Sequence, residues 1–397
     1  MSFADLRTDY AGRGAPLFRL ALKTGLMTVL TLGFYRFWMK TRMRRYYWSA
    51  VRPGGVPLEY TGLATEKLLG FLIAVVILAF YIGVVNLILM FFSFSLFSGN
   101  APAYALSVVG LVPIFFFAQY RARRYILART RWRGIRFGLA PGVKGYVWRA
   151  MLHWAITILT LGILWPRMTF ALEKYRTDRT WYGDAKFEQG GRWQGLMGAM
   201  KHVYLGVAII GAGALALTLT GAPLWSLAIT MGWIWTGLGL GYWRAESFKR
   251  LTEWKRLGEV RFRCHPRGGK VVGIYILGSL AISGLLTALV FGLLLILGLV
   301  VSIIDPGALQ RGIESLNDLA AVPGWIITLL GVVAYFSVFL FWGVLKEVFI
   351  KLPLVRHFAE TTEIVNPGAL SGIRQRPRDE FAEAEGFADA LPLGGGF

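Results

Sequence analysis

Charge is scarce in this chain, and acid is scarcer than base. Of 397 residues 16% are charged, with 43 Lys and Arg against 22 Asp and Glu. A single cysteine, Cys264, excludes an internal disulfide and any multi-cysteine metal centre. The four histidines, His153, His202, His265 and His357, are scattered without a His-x-x-x-His pair, so no metal site and no other cofactor is expected. Neither Gly-x-x-x-x-Gly-Lys nor Gly-x-Ser-x-Gly occurs, and the apparatus of a P-loop ATPase or a serine hydrolase is therefore not visible. Cys264-His265-Pro266 puts a thiol beside an imidazole, a pairing read as incidental in a loop. No catalytic residues are assigned, and the chain reads as a non-enzyme.

Apolar surface is what the chain has in excess. With 55% hydrophobic residues and a mean hydropathy of +0.53, it carries more than one soluble core of this length needs. Six blocks, 68–92, 103–120, 202–219, 224–243, 272–304 and 323–345, contain no Asp, Glu, Lys or Arg. A helix needs roughly 20 such residues to cross about 30 Å of hydrocarbon. The absence of a carboxylate inside the blocks disfavours a proton-coupled carrier. Asn86 and Gln119 suit hydrogen bonds between helices, and the small residues Gly237, Gly239 and Gly241 include a Gly-x-x-x-Gly spacing that permits close packing.

The net charge of +21 is explained by where it lies. The connections 93–102, 220–223 and 305–322 contain Arg311 as their one basic residue, whereas every other connection is strongly basic. Basic loops face the cytoplasm, which gives three outward hairpins with both termini inside. Cationic loops beside spans need no further ligand, so nucleic acid is not expected as a partner.

One segment occurs twice. Thr28-Val-Leu-Thr-Leu-Gly33 returns as Thr157-Ile-Leu-Thr-Leu-Gly162, and Met39, Arg45 and Tyr46 match Met168, Lys174 and Tyr175 in the same register. Both apolar stretches are short and flanked on each side by Arg and Lys, which predicts re-entrant or in-plane hairpins rather than spans. Thr31, Gly33, Thr160 and Gly162 form the hairpin motif; Gly162 ends one helix and Pro166 opens the next. Each basic stretch is followed by a strand-like piece: Leu58–Thr61, Gly134–Gly138, Gly183–Glu188, Gly258–Arg263 and Thr361–Val365. These predict a small cytoplasmic platform of short β-strands fed by basic helices.

A Thr-Leu-Gly segment, an aromatic and a tryptophan just after it, then Arg-Arg-Tyr and a short Phe- or Tyr-containing strand resembles the YjgN-like bacterial inner-membrane proteins, the family of domain of unknown function 898. The resemblance covers roughly residues 16–372. The copies depart from each other at Arg36 against Trp165 and at Tyr35 against Leu164. It implies a bacterial inner-membrane location and no established substrate.

The expected architecture is a polytopic α-helical membrane protein with six transmembrane helices, two Thr-Leu-Gly hairpins and internal repeats. Its divisions are a cytoplasmic tail (1–15), repeat units at 16–140 and 141–270, a third transmembrane hairpin with a cytoplasmic extension (271–373) and a disordered tail (374–397). Arginines interleaved with aromatics at the inner face suit anionic phospholipid head groups. Arg44, Arg45, Tyr46, Arg123, Arg124, Tyr125, Lys174 and Tyr175 are the candidate contacts. A non-catalytic membrane organiser or lipid-interacting scaffold is the first functional reading. A transporter or channel for a small or amphipathic solute is the alternative, since repeated broken segments are common in transporters.

Overall fold

In the computed structural model the described residues are 5–97, 101–304 and 323–377. The outward loop expected at 305–322, with Arg311, and the tail beyond Pro377 lie outside them. The chain divides into two compact units that interleave along the sequence: Met1–Gly12, Lys40–Val272 and Val355–Phe397 make one, Arg13–Met39 and Gly273–Leu354 the other.

The first unit is organised by an antiparallel sheet of ten strands. They are β1 (Leu6–Tyr10), β2 (Val51–Pro53), β3 (Leu58–Tyr60), β4 (Thr130–Trp132), β5 (Ile135–Leu139), β6 (Thr180–Tyr182), β7 (Ala185–Gln189), β8 (Lys255–Leu257), β9 (Val260–Cys264) and β10 (Thr362–Val365). Their order is β2-β1-β10-β9-β8-β7-β6-β5-β4-β3. The outermost members, β2 and β3, are consecutive in the chain and joined by the turn at 54–57, where Gly54 and Gly55 take φ of 60° and 79°. The sheet is thereby rolled into a barrel-like form. Alternate residues point inward: Leu6, Leu58, Trp132, Phe137, Tyr182, Phe187, Leu257, Val260, Phe262 and Ile364 share one apolar cluster. A 3₁₀ turn at Pro367–Gly372 adds Leu370 to that cluster.

All five strand-like pieces expected from the sequence are strands, as β3, β5, β7, β9 and β10. What the sequence reading lacked is their partners. Three-residue strands β4, β6 and β8 end the basic stretches and turn back through Arg133-Gly134, Gly183-Asp184 and Gly258-Glu259. Positive φ at Arg133 and Gly134 matches a type I′ turn, and positive φ at Gly183 and Gly258, the first central positions, matches type II′. The stretch read as an N-terminal tail supplies β1, which pairs with both β2 and β10. Gly183→Ala should lower stability by roughly 1–2 kcal/mol. Its φ is +57°, and an added Cβ would run into the Arg374 backbone carbonyl oxygen and stand 2.8 Å from Ile373 Cγ2 and 3.0 Å from Ile135 Cγ2. Thermal unfolding in detergent measures the loss.

Helices leave and re-enter this sheet. α1 (Gly14–Leu30) and α2 (Arg36–Ala50) precede β2; α3 (Ala64–Phe80), a π turn and α4 (Asn86–Phe97) lead to α5 (Ala101–Ala128). After β5 come α6 (Val143–Leu159) and α7 (Trp165–Thr177). After β7 come a 3₁₀ stretch (Trp193–Met200), α8 (Lys201–Thr220) and α9 (Trp225–Glu253). After β9 come α10 (Gly268–Ile304), α11 (Gly324–Lys346), a π turn and α12 (Leu352–Glu360). Within the second unit α1 packs on α11, where a Cβ on Gly25 would stand 2.5 Å from Leu340 Cδ1.

Four helical stretches among the described residues are long and apolar enough to cross a membrane: Ala64–Leu96, Trp193–Thr220, Gly268–Ile303 and Gly324–Glu360. At most 17% of the apolar window of each is buried in the chain. Apolar surface on that scale calls for hydrocarbon around it. The other two expected spans fall on α5 and α9.

Candidate membrane-facing site

The Thr-Leu-Gly segments are turns of the same geometry. In the first, Gly33 N–H donates to the Thr28 carbonyl at 2.7 Å, Leu32 N–H to Val29 and Arg36 N–H to Gly33. In the second, Gly162 N–H donates to the Thr157 carbonyl at 2.8 Å, Leu161 N–H to Ile158 and Trp165 N–H to Gly162. Thr31 and Thr160 each donate their hydroxyl to the carbonyl four residues back, at 2.7 and 2.9 Å. Each hydroxyl also accepts a backbone N–H four residues on, from Tyr35 at 2.9 Å and Leu164 at 3.3 Å. The left-handed pair is Leu32 and Gly33 (φ 50° and 95°), then Leu161 and Gly162 (48° and 86°).

Leucine in that conformation costs roughly 1–2 kcal/mol. The chain recovers little of this, because Leu32 is 88% and Leu161 91% exposed. Each tip continues an exposed helix stripe. On α1 it runs Arg19, Lys23, Leu26, Leu30, and on α6 Lys144, Trp148, Leu152, Leu159. Cations lie at the start of each stripe and leucines at the tip.

The second hairpin rests on a tyrosine cluster. Tyr120, Tyr146 and Tyr175 have ring centroids 5.2–6.2 Å apart. Their hydroxyls donate to the Ala140 carbonyl, Gln119 Oε1 and the Gly142 carbonyl at 2.7, 2.5 and 2.7 Å. Arg179 lies 3.7 Å and Arg149 4.7 Å from the Tyr175 ring centroid. Beneath it the buried Glu173 carboxylate meets Lys255 at 2.8 Å, Arg176 at 2.9 Å and Arg123 at 3.8 Å, and accepts the Thr177 hydroxyl. Burial opposes ionisation of this carboxyl, yet Lys255, Arg123 and Arg176 together outweigh it and hold its pKa well below the usual carboxylate range.

The residues named as head-group contacts fall into separate groups and are tied to their own chain. Arg44 donates to Tyr60 Oη at 3.2 Å and lies over the Trp48 and Tyr60 rings; Arg45 donates to the Gly62 carbonyl at 3.1 Å. Tyr46 meets Tyr47 edge-on. Arg124, 7% exposed, donates to the Leu139 carbonyl, and the buried Tyr125 donates to Glu66 at 2.7 Å. Arg123 faces Glu173 and Tyr175 joins the tyrosine cluster. Lys174 is exposed, meets Asp178 at 3.0 Å and donates to the Gln189 carbonyl at 2.8 Å. It lines a cleft of about 370 Å³ with Asp178, Lys186, Glu188 and Arg256. Cys264 is buried against Thr362, and burial pushes its thiol up.

A family model described as a bacterial protein of unknown function, DUF898, matches residues 5–390. The chain belongs to that family. The inner membrane protein YjgN of Salmonella typhimurium strain LT2 is 26% identical over 140 residues, which cover 35% of this chain and 32% of that protein. The alignment thus spans about a third of the relative's length. No solved structure matches.

Sequence reading passed over the pieces that make this family member's hairpin rigid. Glu173 was the available signal, as the one acid in a helix that also holds Arg167, Lys174 and Arg176. Lys255 lies 82 residues away, and nothing local links the two. Glu246 with Arg250 at 3.4 Å and Glu347 with Lys351 at 3.2 Å are the ordinary helix-face pairs that their spacing suggests.

Proposed function

We propose that this chain is a non-catalytic inner-membrane protein that organises anionic phospholipid at the cytoplasmic leaflet, with its barrel-like sheet and both termini on that side. The observation that carries it is leucine at Leu32 and Leu161, where backbone geometry favours glycine or asparagine and the fold gives the side chain almost no contact. Hydrocarbon is the partner that compensates such a residue. The inner-membrane name of the similar YjgN protein supports the location.

Six crossings fit this reading better than four. Gly206 of α8 meets Gly232 and Thr236 of α9, Gly213 meets Ala228 and Ile229, and Gly239 meets His202 and Val203. These contacts run antiparallel along the whole pair, so a crossing by α8 carries α9 back. The same argument brings α5 back beside the preceding helix, through the ring of Tyr81 in the π turn against Gly110. The two Thr-Leu-Gly hairpins then enter from inside without crossing, and exposed cations such as Lys23, Lys144 and Lys174 remain at head-group depth.

Replacing Leu32 and Leu161 by Asn tests the reading. Asparagine tolerates the left-handed backbone, so stability should hold or rise by about 1 kcal/mol. Quenching of a fluorophore at Thr31 or Thr160 by lipids brominated in the acyl chain should fall in the same variant. Undiminished quenching, or labelling of cysteines at these positions only from outside, would sink it. The matching geometry of the two broken segments favours a second reading, a transporter, and solute flux in protein-loaded liposomes would replace the first reading with it.

A further inference from the structure

The outer wall of the barrel-like sheet carries arginines set against arginines. Beside the turns of its three tight hairpins, Arg131 is paired with Arg136, Trp181 with Lys186, and Arg256 with Arg261. Their neighbours Trp132, Ile135, Tyr182, Ala185, Leu257 and Val260 point into the core, so these six face outward. Like charges directly opposite one another destabilise an antiparallel pair. Among the described residues Arg131, Arg256 and Arg261 have no carboxylate within ion-pair distance, and Arg131 Nε is buried without a hydrogen-bond partner. Arg133 adds a further cation at its turn. Glu188 and Glu259 are the acids that remain on these strands and turns, because the Asp184 carboxylate accepts the Arg374 N–H at 3.0 Å. Across the neighbouring strands Glu59 is paired with Arg131 and Glu188 with Arg256, so the belt of Arg131, Arg133, Arg136, Lys186, Arg256 and Arg261 over β4–β9 holds more cations than the acids that face it.

Residues 374–376 are anchored on that belt. Asp184 N–H donates to the Arg374 carbonyl at 2.9 Å, Arg136 N–H donates to Gln375 Oε1 at 2.8 Å, and the Arg376 guanidinium lies 4.9 Å from the centre of the Trp181 ring. The described chain stops at Pro377. Beyond it the sequence is acidic, with Asp379, Glu380, Glu383, Glu385 and Asp389 against Arg378. Twelve residues extend to about 40 Å, and six strands at about 4.8 Å spacing are roughly 25 Å wide. A tether this short holds the acids near the belt at millimolar effective concentration.

We propose that the acidic segment 379–389 docks on the arginine belt of β4–β9 within the same chain, so that any external polyanion reaches the belt only by displacing it. This does not depend on the lipid reading, whose surfaces are the hairpin tips. The full-length protein in detergent tests it through zero-length carbodiimide coupling of carboxylates to lysine, followed by peptide mass spectrometry. The expected result is an intrachain link from Lys186 to the peptide carrying Glu383 and Glu385, lost in about 1 M salt, where screening acts within about 3 Å. Links formed only between chains, shown by mixing isotopically light and heavy protein, or no link to Lys186, would overturn it. In a second measurement the full chain, a chain ending at Pro377 and an R131Q/R256Q/R261Q variant are eluted from immobilised heparin. Removing the acidic end should shift elution to higher salt, and the triple variant should abolish that shift. Equal elution of the full and shortened chains would refute the docking even if every variant folds.

Discussion

Glu173→Gln should lower the stability of the folded chain by roughly 2–3 kcal/mol, because it removes the buried anion that three half-buried cations share. Lys255, Arg176 and Arg123 converge on this carboxylate from β8, α7 and α5, and with it gone they repel one another. Thermal or denaturant unfolding in detergent reads the loss. A second substitution, Lys255→Gln, should restore part of it, since the two sites share one interaction. The sign of the shift sets the pH dependence. The folded-state pKa is depressed, so the contribution is fully present above the unfolded value of about 4.3 and is lost as pH falls through the folded value. The native protein should therefore lose stability on acidification more steeply than Glu173→Gln does. Equal slopes would mean that the carboxyl is not held ionised by its neighbours. Because Glu173 anchors α7, the variant should also loosen the second hairpin and reduce quenching at Thr160 by brominated lipid.

Gly232→Val should strongly destabilise the α8–α9 pair. A Cβ at Gly232 would stand 2.9 Å from the Ile210 backbone nitrogen and 3.0 Å from the Gly206 carbonyl oxygen, and backbone cannot swing aside as a side chain can. Overpacking typically costs 1–3 kcal/mol, and a contact against backbone should lie at or above the upper end. Gly237→Val is the control. It belongs to the Gly-x-x-x-Gly spacing visible in the sequence, yet an added Cβ there meets nothing within 4 Å. Unfolding temperatures of the two variants should separate clearly. Similar values would show that close helix approach at Gly206 and Gly232 does not hold this pair together.

That contrast shows how far sequence could reach. A glycine spacing repeats on helix geometry whether or not a partner is present, and only packing showed that Gly206, Gly213, Gly232 and Gly239 do the work. The strands divide in the same way. β5, β7 and β9 were legible because apolar and polar residues alternate along them, and Phe137, Phe187 and Phe262 duly stack across the core at 6.5 and 6.1 Å. β4, β6 and β8 were hidden because three residues at the end of a basic helix carry too little pattern. The Gly-containing dipeptides after them were the available hairpin signal.

The hairpin-motif residues Thr31, Gly33, Thr160 and Gly162 lie in two turns of one geometry, since a turn of this kind is set by four or five neighbouring residues. The arginines and tyrosines were legible as basic and aromatic, but their partners were not. Arg124 reaches Leu139, Tyr125 reaches Glu66 and Arg123 reaches Glu173 through folds of chain that no local pattern encodes.

The sequence by itself determined the apolar helices, the basic connections and the two left-handed turns, because hydropathy, charge and glycine conformation act over a few residues at a time. The tertiary structure decided which strands close the sheet, with β1 at one end of the chain pairing β10 near the other. It also set Glu173 among its cations and arginine against arginine on the outer wall. Those outcomes depend on contacts between residues tens to hundreds of positions apart, where burial and pairing are settled only once the whole sheet has formed.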